Sequence, residues 1–452
     1  MHNNNSIFIT TLLAFSLFTA AGFGAVNYTY ITLGSTPGYQ SATPTGLNNA
    51  GQVVGYEYDA SFLNQALVLW NAGAASIVPM PSGYALAYTT DPFQALAINA
   101  SGQILAPAKD TASGASVGIL FTGGTPAVIG AAPNNCGSTS TMVLGLNAAG
   151  HVVGATSGGS CIVFWVWGDG TFKMFQPPEP AHFAVGGIDD ADRVIGVRCK
   201  NAASSCETGP IFLLQAGKSP VHYKLGANGI SAPNNSDQVT GYALAGPGSD
   251  SFFWLNSTTW VGIPPEGPLG EQSCCYTNPN NGGYVVFSRP GGGPYAIMHE
   301  GSVLEEIAGN FPTNASPIAL NDAMQFIASS NLFSPAPGNS APEASAQVGV
   351  VQGRITADPS TGRFSQQVTL TNNGAPVRGP VSLLLEKLSP KVAVYGLSGT
   401  SVRPGLTGVA YVDLPDSFGA AGSQATIRLE FIDSALAGVN WTPRVVAGMG
   451  IR

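Results

Sequence analysis

The chain is 452 residues long and 9% charged, against roughly 25% in an average soluble domain, which excludes a solvated disordered protein. Its formal net charge of −8, from 17 Lys+Arg and 25 Asp+Glu, leaves little to neutralise phosphates, so nucleic acid and anionic membranes are not the expected partners. With 58 Gly and 33 Pro beside 21 Phe, 14 Tyr and 6 Trp, the composition describes many short elements joined by turns, with a large aromatic core over two or three domains.

Residues 6–23 are an apolar run ending in the small residues Ala20, Ala21 and Gly24, the pattern of a cleaved export signal over 1–24. The stretch Met1–Asn5 has no Lys or Arg, and the alternative is an N-terminal membrane anchor, for which the run is short. No later segment is apolar enough to span a membrane, so the expected location is secreted, extracellular or periplasmic.

From residue 26 one phrase recurs. Gly46-Leu-Asn-Asn-Ala-Gly-Gln-Val-Val-Gly55 returns at 97–106 and 145–154, and in weaker copies at 187–196, 233–241, 280–286 and 319–328. Taking the Asn or Asp after the apolar residue as anchor, the copies sit at Asn48, Asn99, Asn147, Asp189, Asn234, Asn280 and Asn321, at gaps of 51, 48, 42, 45, 46 and 41 residues. Apolar residues alternate at period two, so each phrase reads as strand, tight turn, strand. Asn and Asp suit that turn because they bond their own backbone, and Gly because it accepts positive φ.

After each phrase comes a second hairpin: 66–70 with 76–78, 162–167 with 172–175, 252–254 with 260–263. Four strands in about 45 residues, repeated seven times, predict a seven-bladed β-propeller over 26–335. The unmatched strand 28–33 precedes the first phrase, and after the seventh comes only Asn331-Leu-Phe333, so the N-terminal strand is expected to complete the last blade. Trp70, Trp165, Trp167, Trp254 and Trp260 lie on hairpin strands and read mostly as blade cores.

Residues 336–344 form a Pro- and Ala-rich linker. From residue 340 onward nine basic residues stand against seven acidic, so the acidity belongs to the repeats. Seven strands, at 348–356, 364–371, 381–385, 392–397, 408–414, 425–431 and 444–447, predict an immunoglobulin-like β-sandwich over 345–452. The fold class is thus all-β, a propeller followed by a sandwich. The closing 449–452 holds no hydrophobic sorting helix, and release rather than anchoring is expected.

The phrase Leu-Asn-x-x-Gly-Gln-Val-Val-Gly followed by an aromatic strand ending in Trp resembles the extracellular HAF-repeat proteins of bacteria, over roughly residues 26–335. The naming His-Ala-Phe triplet is replaced by Gln65-Ala66-Leu67 and Ser251-Phe252-Phe253. The resemblance implies export and repetition, with no chemistry to carry onto any residue.

Six cysteines, an even number, suit an oxidising compartment. Proximity favours Cys136 with Cys161 and Cys199 with Cys206, leaving Cys274 and Cys275 either as a vicinal bridge or as free thiols. No Cys/His spacing for zinc occurs, and Asp189-Asp-Ala-Asp192 lacks the Gly and distal Glu of a calcium loop, so no metal and no cofactor is expected.

No nucleotide-binding, nucleophile-elbow or metalloprotease motif is present. His151 replaces the Gln of the phrase and reads as an exposed strand or turn residue, and Glu305 and Glu306 point to opposite faces of a strand. Ligand binding is sought where inner strands ring the channel, six positions before each anchor: Ala42, Phe93, Thr141, Phe183, Asn228, Cys274 and Ala315. With neighbouring His182, Cys275 and Tyr276, the binding candidates are Phe93, His182, Phe183, Cys274, Cys275 and Tyr276, suited to stacking on a sugar or clamping a peptide. The plainer reading of Phe93 and Phe183 is blade packing. The expected function is a secreted, non-catalytic protein binding an extracellular glycan or protein. The alternatives are a carbohydrate-active enzyme using the channel, with a carboxylate pair at its mouth, and a surface adhesion or structural protein.

Overall fold

The structure is a computed structural model. It describes residues 26–448 except 63, 88–93, 134–136, 138–139, 159–160, 176–182, 199–208, 228, 236–237, 245–249, 256–259, 264–274, 289–294, 300–301, 309–314, 337–340, 342, 359–362, 375–376, 378–380, 396, 402, 404, 415–417, 419–420 and 434–437. Within the strands, the side chains at 158, 161, 223–227, 229, 242–244, 250–255, 260–263, 275, 299, 302–306 and 308 are also outside the description, as are those of 26, 358 and 433.

The described regular structure is β-sheet, and no helix there is long and apolar enough to cross a membrane. The repeats fold as antiparallel sheets taken in chain order. The first contains Tyr39–Leu47, Val53–Asp59, Gln65–Asn71 and Ala74–Ile77. The third contains Thr141–Leu146, Val152–Gly158, Cys161–Gly168 and Thr171–Phe175. The fourth runs from Phe183–Ile188 to Val221–Ala227 and the fifth from Gly229–Ile230 to Trp260–Ile263. The second sheet has five strands, because Tyr84–Leu86 and Ala97–Ile98 both pair with Ile104–Asp110.

The last strand of the seventh sheet comes from the other end of the chain. Val26–Thr32 runs antiparallel to Asn331–Pro335, from Tyr28 opposite Pro335 to Thr32 opposite Asn331. Tyr28 also donates its hydroxyl to the Met324 carbonyl at 2.8 Å. Beyond expectation, the same strand pairs in parallel with Ser302–Ala308 of the sixth sheet through Val26 and Asn27. The sixth and seventh sheets thereby join into eight strands.

The two adjacent apolar residues of the phrase serve two different cores, since neighbours on a strand face opposite ways. Val53 packs with Trp70, Ile327 and Leu332 toward the seventh sheet, whereas Val54 packs with Ile98, Ile104 and Ile119 toward the second. Val152 and Val153 divide likewise between Trp165 and Phe212. Each sheet so buried is apolar on both faces, and the seventh packs back on the first. The Gly ending the phrase keeps the third strand's ring close: a Cβ at Gly154 would meet Trp165 at 2.2 Å.

After Glu343 the chain forms two further sheets. One orders Val348–Asp358, Arg363–Asn372, Gln424–Asp433 and Val392–Tyr395; the other orders Gly399–Thr400, Ala410–Asp413, Val381–Glu386 and Thr442–Ala447. Val368, Leu370 and Phe431 of one sheet share a core with Leu383, Leu385 and Val445 of the other. All seven strands expected from the sequence are present, and Gly399–Thr400 adds an eighth.

Candidate functional site

The repeated turns converge on one cavity of about 250 Å³, lined by the seven anchors and the residues on either side of them. All seven anchors are buried. A buried carboxamide must satisfy both its ends, and the phrase supplies the partners. Asn48 Oδ1 accepts the backbone N–H groups of Ala50 at 3.1 Å and Gln52 at 3.0 Å. Its Nδ2 donates to Gln52 Oε1 at 2.9 Å and to the Asn99 carbonyl of the next turn at 3.2 Å.

That last bond recurs around the cavity. Asn99 reaches the Asn147 carbonyl at 3.0 Å, Asn147 reaches Asp189 at 2.9 Å, and Asn234 reaches Asn280 at 2.7 Å. Asn280 reaches Asn321 at 3.1 Å, and Asn321 returns to Asn48 at 2.9 Å. Asp189 has no N–H to pass on. Its Oδ1 keeps the turn bonds to Ala191 and Arg193 at 2.9 and 2.8 Å, and its Oδ2 accepts Arg193 Nε at 2.6 Å. Burial pushes its carboxyl above the ordinary range, opposed by the bonds and charge from Arg193. Donor and acceptor have thus exchanged places: Asn with Gln four residues on becomes Asp with Arg.

Two other anchors lack the Gln. Asn147 has His151 there and Asn280 has Tyr284. In both cases the following turn extends an acceptor from the position where the repeat has Gly. Asp192 Oδ1 takes Asn147 Nδ2 at 3.2 Å, and Met324 Sδ takes Asn280 Nδ2 at 3.6 Å. Asp192 and Met324 hold φ of 59° and 60°, left-handed values that cost a side-chain-bearing residue energy. His151 is half-buried rather than exposed, its Nδ1 lying 2.6 Å from Asp192 Oδ1, with Lys173 Nζ 3.5 Å from Oδ2.

The residues after the anchors form a second tier. Asp322 Oδ2 accepts Asn49 Nδ2 at 2.7 Å and Asn281 Nδ2 at 3.0 Å, while its Oδ1 accepts the Asn281 N–H at 2.8 Å. Asp190 accepts the Ala148 N–H and Asn235 Nδ2, each at 2.7 Å. The tier runs through turns four, five, six, seven and one. At turns two and three its place holds Ala100 and Ala148, whose side chains are methyl groups, so the rim of polar side chains is interrupted there.

Of the candidates named from the sequence, Phe183 and Tyr276 are described with their side chains, and neither lines this cavity. Phe183 is half-buried between the third and fourth sheets, with ring centroids 5.6 Å from Phe164 and 6.4 Å from Phe212. That is its packing reading. Tyr276 pairs with Phe287 in the short strand Cys275–Tyr276 and packs against the Val285, Phe287 and Met298 cluster. Phe93, His182 and Cys274 lie outside the described residues, as do Cys136, Cys199 and Cys206 and the side chains of Cys161 and Cys275. The Cβ direction explains the rest: Ala42 and Ala315, six residues before their anchors, pack into inter-sheet cores. Among the described residues no three His, Cys, Asp or Glu side chains gather as metal ligands. Aligning the repeats on their anchors would have exposed both the Asn/Gln to Asp/Arg exchange and the tier that follows.

No protein-family model matches the chain, and no curated protein matches it. Among solved structures it is similar to a prolyl endopeptidase, with 13% identity and a TM-score of 0.44, over 78% of this chain and 54% of that one. It is similar to the Pyrococcus horikoshii acylaminoacyl peptidase at 9% identity and a TM-score of 0.44, over 75% of this chain and 59% of that one. YCF48 from Cyanidioschyzon merolae matches at 9% identity and a TM-score of 0.43, over 69% of this chain and 99% of that one. The chain therefore spans little more than half the length of either peptidase.

Proposed function

We propose that the chain is an exported, non-catalytic binding protein: a seven-bladed β-propeller over 26–335, a linker over 336–344 and an immunoglobulin-like sandwich over 345–452. The carbonyl-to-amide belt linking the repeated turns and the pairing of Val26–Thr32 with Asn331–Pro335 support the propeller reading. The resemblance of the phrase to HAF-repeat proteins and the apolar leader support export.

The observation that carries the binding reading is the cavity itself. Seven turns bring carboxamides, two second-tier carboxylates and backbone groups to one concave surface of about 250 Å³, a size suited to one sugar unit or one side chain. The belt holds these groups rigid before any ligand arrives, which lowers the ordering cost of binding. The ligand is a polar group of an extracellular glycan or protein, entering over Ala100 and Ala148.

The test is a panel of soluble and insoluble polysaccharides and secreted proteins, with bound protein and released reducing ends read in the same wells. Binding without release, lost in Ala100→Leu/Ala148→Leu at unchanged thermal stability, supports the proposal. Release of reducing ends replaces it with a carbohydrate-active enzyme. Binding that survives the double substitution moves the site elsewhere on the molecule.

A further inference from the structure

The seven turns are not equally open. In turns one to three, Asn49-Ala50, Ala100-Ser101 and Ala148-Ala149 are exposed, as are Asp190-Ala191 in turn four. In turn six Asn281-Gly282 are half-buried, and in turn seven Asp322-Ala323 are buried. The strand Ala410–Asp413 of the C-terminal sheets lies against turns six and seven. Tyr411, itself 5% exposed, donates its hydroxyl to the Asp322 carbonyl at 2.8 Å. Two residues on, Asp413 lies against turn six, where a Cβ at Gly282 would meet its Oδ2 at 3.0 Å.

This seat brings two carboxyl groups together beside the cavity. Asp322, 6% exposed, feels the Asp413 charge in addition to its own burial, and both push its carboxyl above the ordinary range; the bonds from Asn281 and Asn49 oppose them. Asp413 accepts from Ser382 Oγ and donates its N–H to Ser398 Oγ at 2.9 Å. Among the described residues Asp413 and the Tyr411 hydroxyl stand against Asp322, and Tyr284 lies beside Asp413 at Gly282; Asn49 and Asn281 are neutral.

We propose that the C-terminal sheets are a proton-sensitive cover at the edge of the cavity, seated when Asp322 carries a proton and loosened when it is charged beside Asp413. Burying one carboxylate is tolerable where donors surround it, whereas burying two within Coulomb range of each other is costly. The seated form, in which the carboxyl holds its proton more tightly than in the open form, is favoured below the ordinary carboxylate range. It loses that advantage as pH rises through the raised value. Its use as a regulator rests on the proposed binding site, but the motion does not.

The experiment is hydrogen exchange of the full chain, corrected for intrinsic rate, at pH 4.5 and pH 8, with small-angle scattering of the same samples. The expected result is at least a fivefold loss of protection in peptides spanning 319–325 and 406–413 at the higher pH, with a larger radius of gyration. Asp413→Asn, which keeps the shape and removes the charge, is expected to stay protected and compact at both. Equal protection of the wild type at the two pH values overturns the proposal, as does loss in Asp413→Asn equal to that of the wild type. Ligand binding by wild type with no pH-dependent motion would leave the binding reading standing and remove this one.

Discussion

Asn321 donates its side-chain amide to the carbonyl of Asn48 at 2.9 Å, across 273 residues of chain, and so connects the last repeated turn to the first. The other face of the same carboxamide holds its own turn, accepting the Gln325 N–H at 2.8 Å. Asn321→Ala strips partners from the Asn48 carbonyl, the Gln325 N–H and Gln325 Oε1 together. Leaving buried polar groups unpaired costs about 2 to 4 kcal/mol here, to be read as a lower urea midpoint. A loss under about 0.5 kcal/mol would show that the belt follows the sheets rather than holding them.

The Asp189–Arg193 pair makes a sharper test because the repeat itself supplies the alternative. Asp189→Asn leaves a guanidinium that is 24% exposed without its carboxylate, and Arg193→Gln leaves a buried carboxylate without its cation. Each single change is expected to cost about 1 to 3 kcal/mol. The double change recreates the Asn and Gln of turns one, two, five and seven and gives residue 189 an N–H to offer the Asn234 carbonyl. It should recover most of the loss, giving a favourable coupling energy in a double-mutant cycle. Additive losses would mean that the two residues act separately.

His151 and Asp192 admit the same logic across two turns. Asp192→Gly relieves a left-handed non-Gly residue but removes the acceptor that Asn147 Nδ2 and His151 share, and the net expectation is destabilisation. His151→Gln together with Asp192→Gly restores the phrase as it stands in turns one and two. That pair should be at least as stable as the wild type by thermal unfolding. If the double variant is weaker than Asp192→Gly alone, the two positions do not compensate.

The residues show why the strands were legible and the cavity was not. Strand pairs announce themselves through Val-Val and aromatic runs at period two, because each apolar side chain must meet a neighbouring sheet; Val53 and Val54 carry that signal locally. The anchors were legible as turn formers, yet their second bond leads to another copy more than 40 residues away, which local pattern does not contain. Searching six residues before the anchors favoured aromatic positions such as Phe183, but an aromatic ring on an inner strand has a neighbouring sheet to fill. The shared edge between Val26–Thr32 and Ser302–Ala308 had no sequence signal, since only two residue pairs form it.

Gly282 separates shape from charge at the seat of the C-terminal sheets. No positive φ holds it as glycine, so Ala fits its backbone, but the added Cβ would lie 2.9 Å from the Tyr284 ring and 3.0 Å from Asp413 Oδ2. Neither neighbour has free room: Tyr284 is buried in the core shared with Phe326, and Asp413 is tied to Ser382. Gly282→Ala is therefore expected to displace Ala410–Asp413 from turn six, raising the radius of gyration at every pH while the urea midpoint of the repeats changes by less than about 1 kcal/mol. Gly283, with φ of 79°, is the contrast, because Ala there strains the turn itself and should lower that midpoint by about 1 to 2 kcal/mol. If Gly282→Ala leaves the scattering curve unchanged, the strand's contact with turn six is not what holds the C-terminal sheets in place.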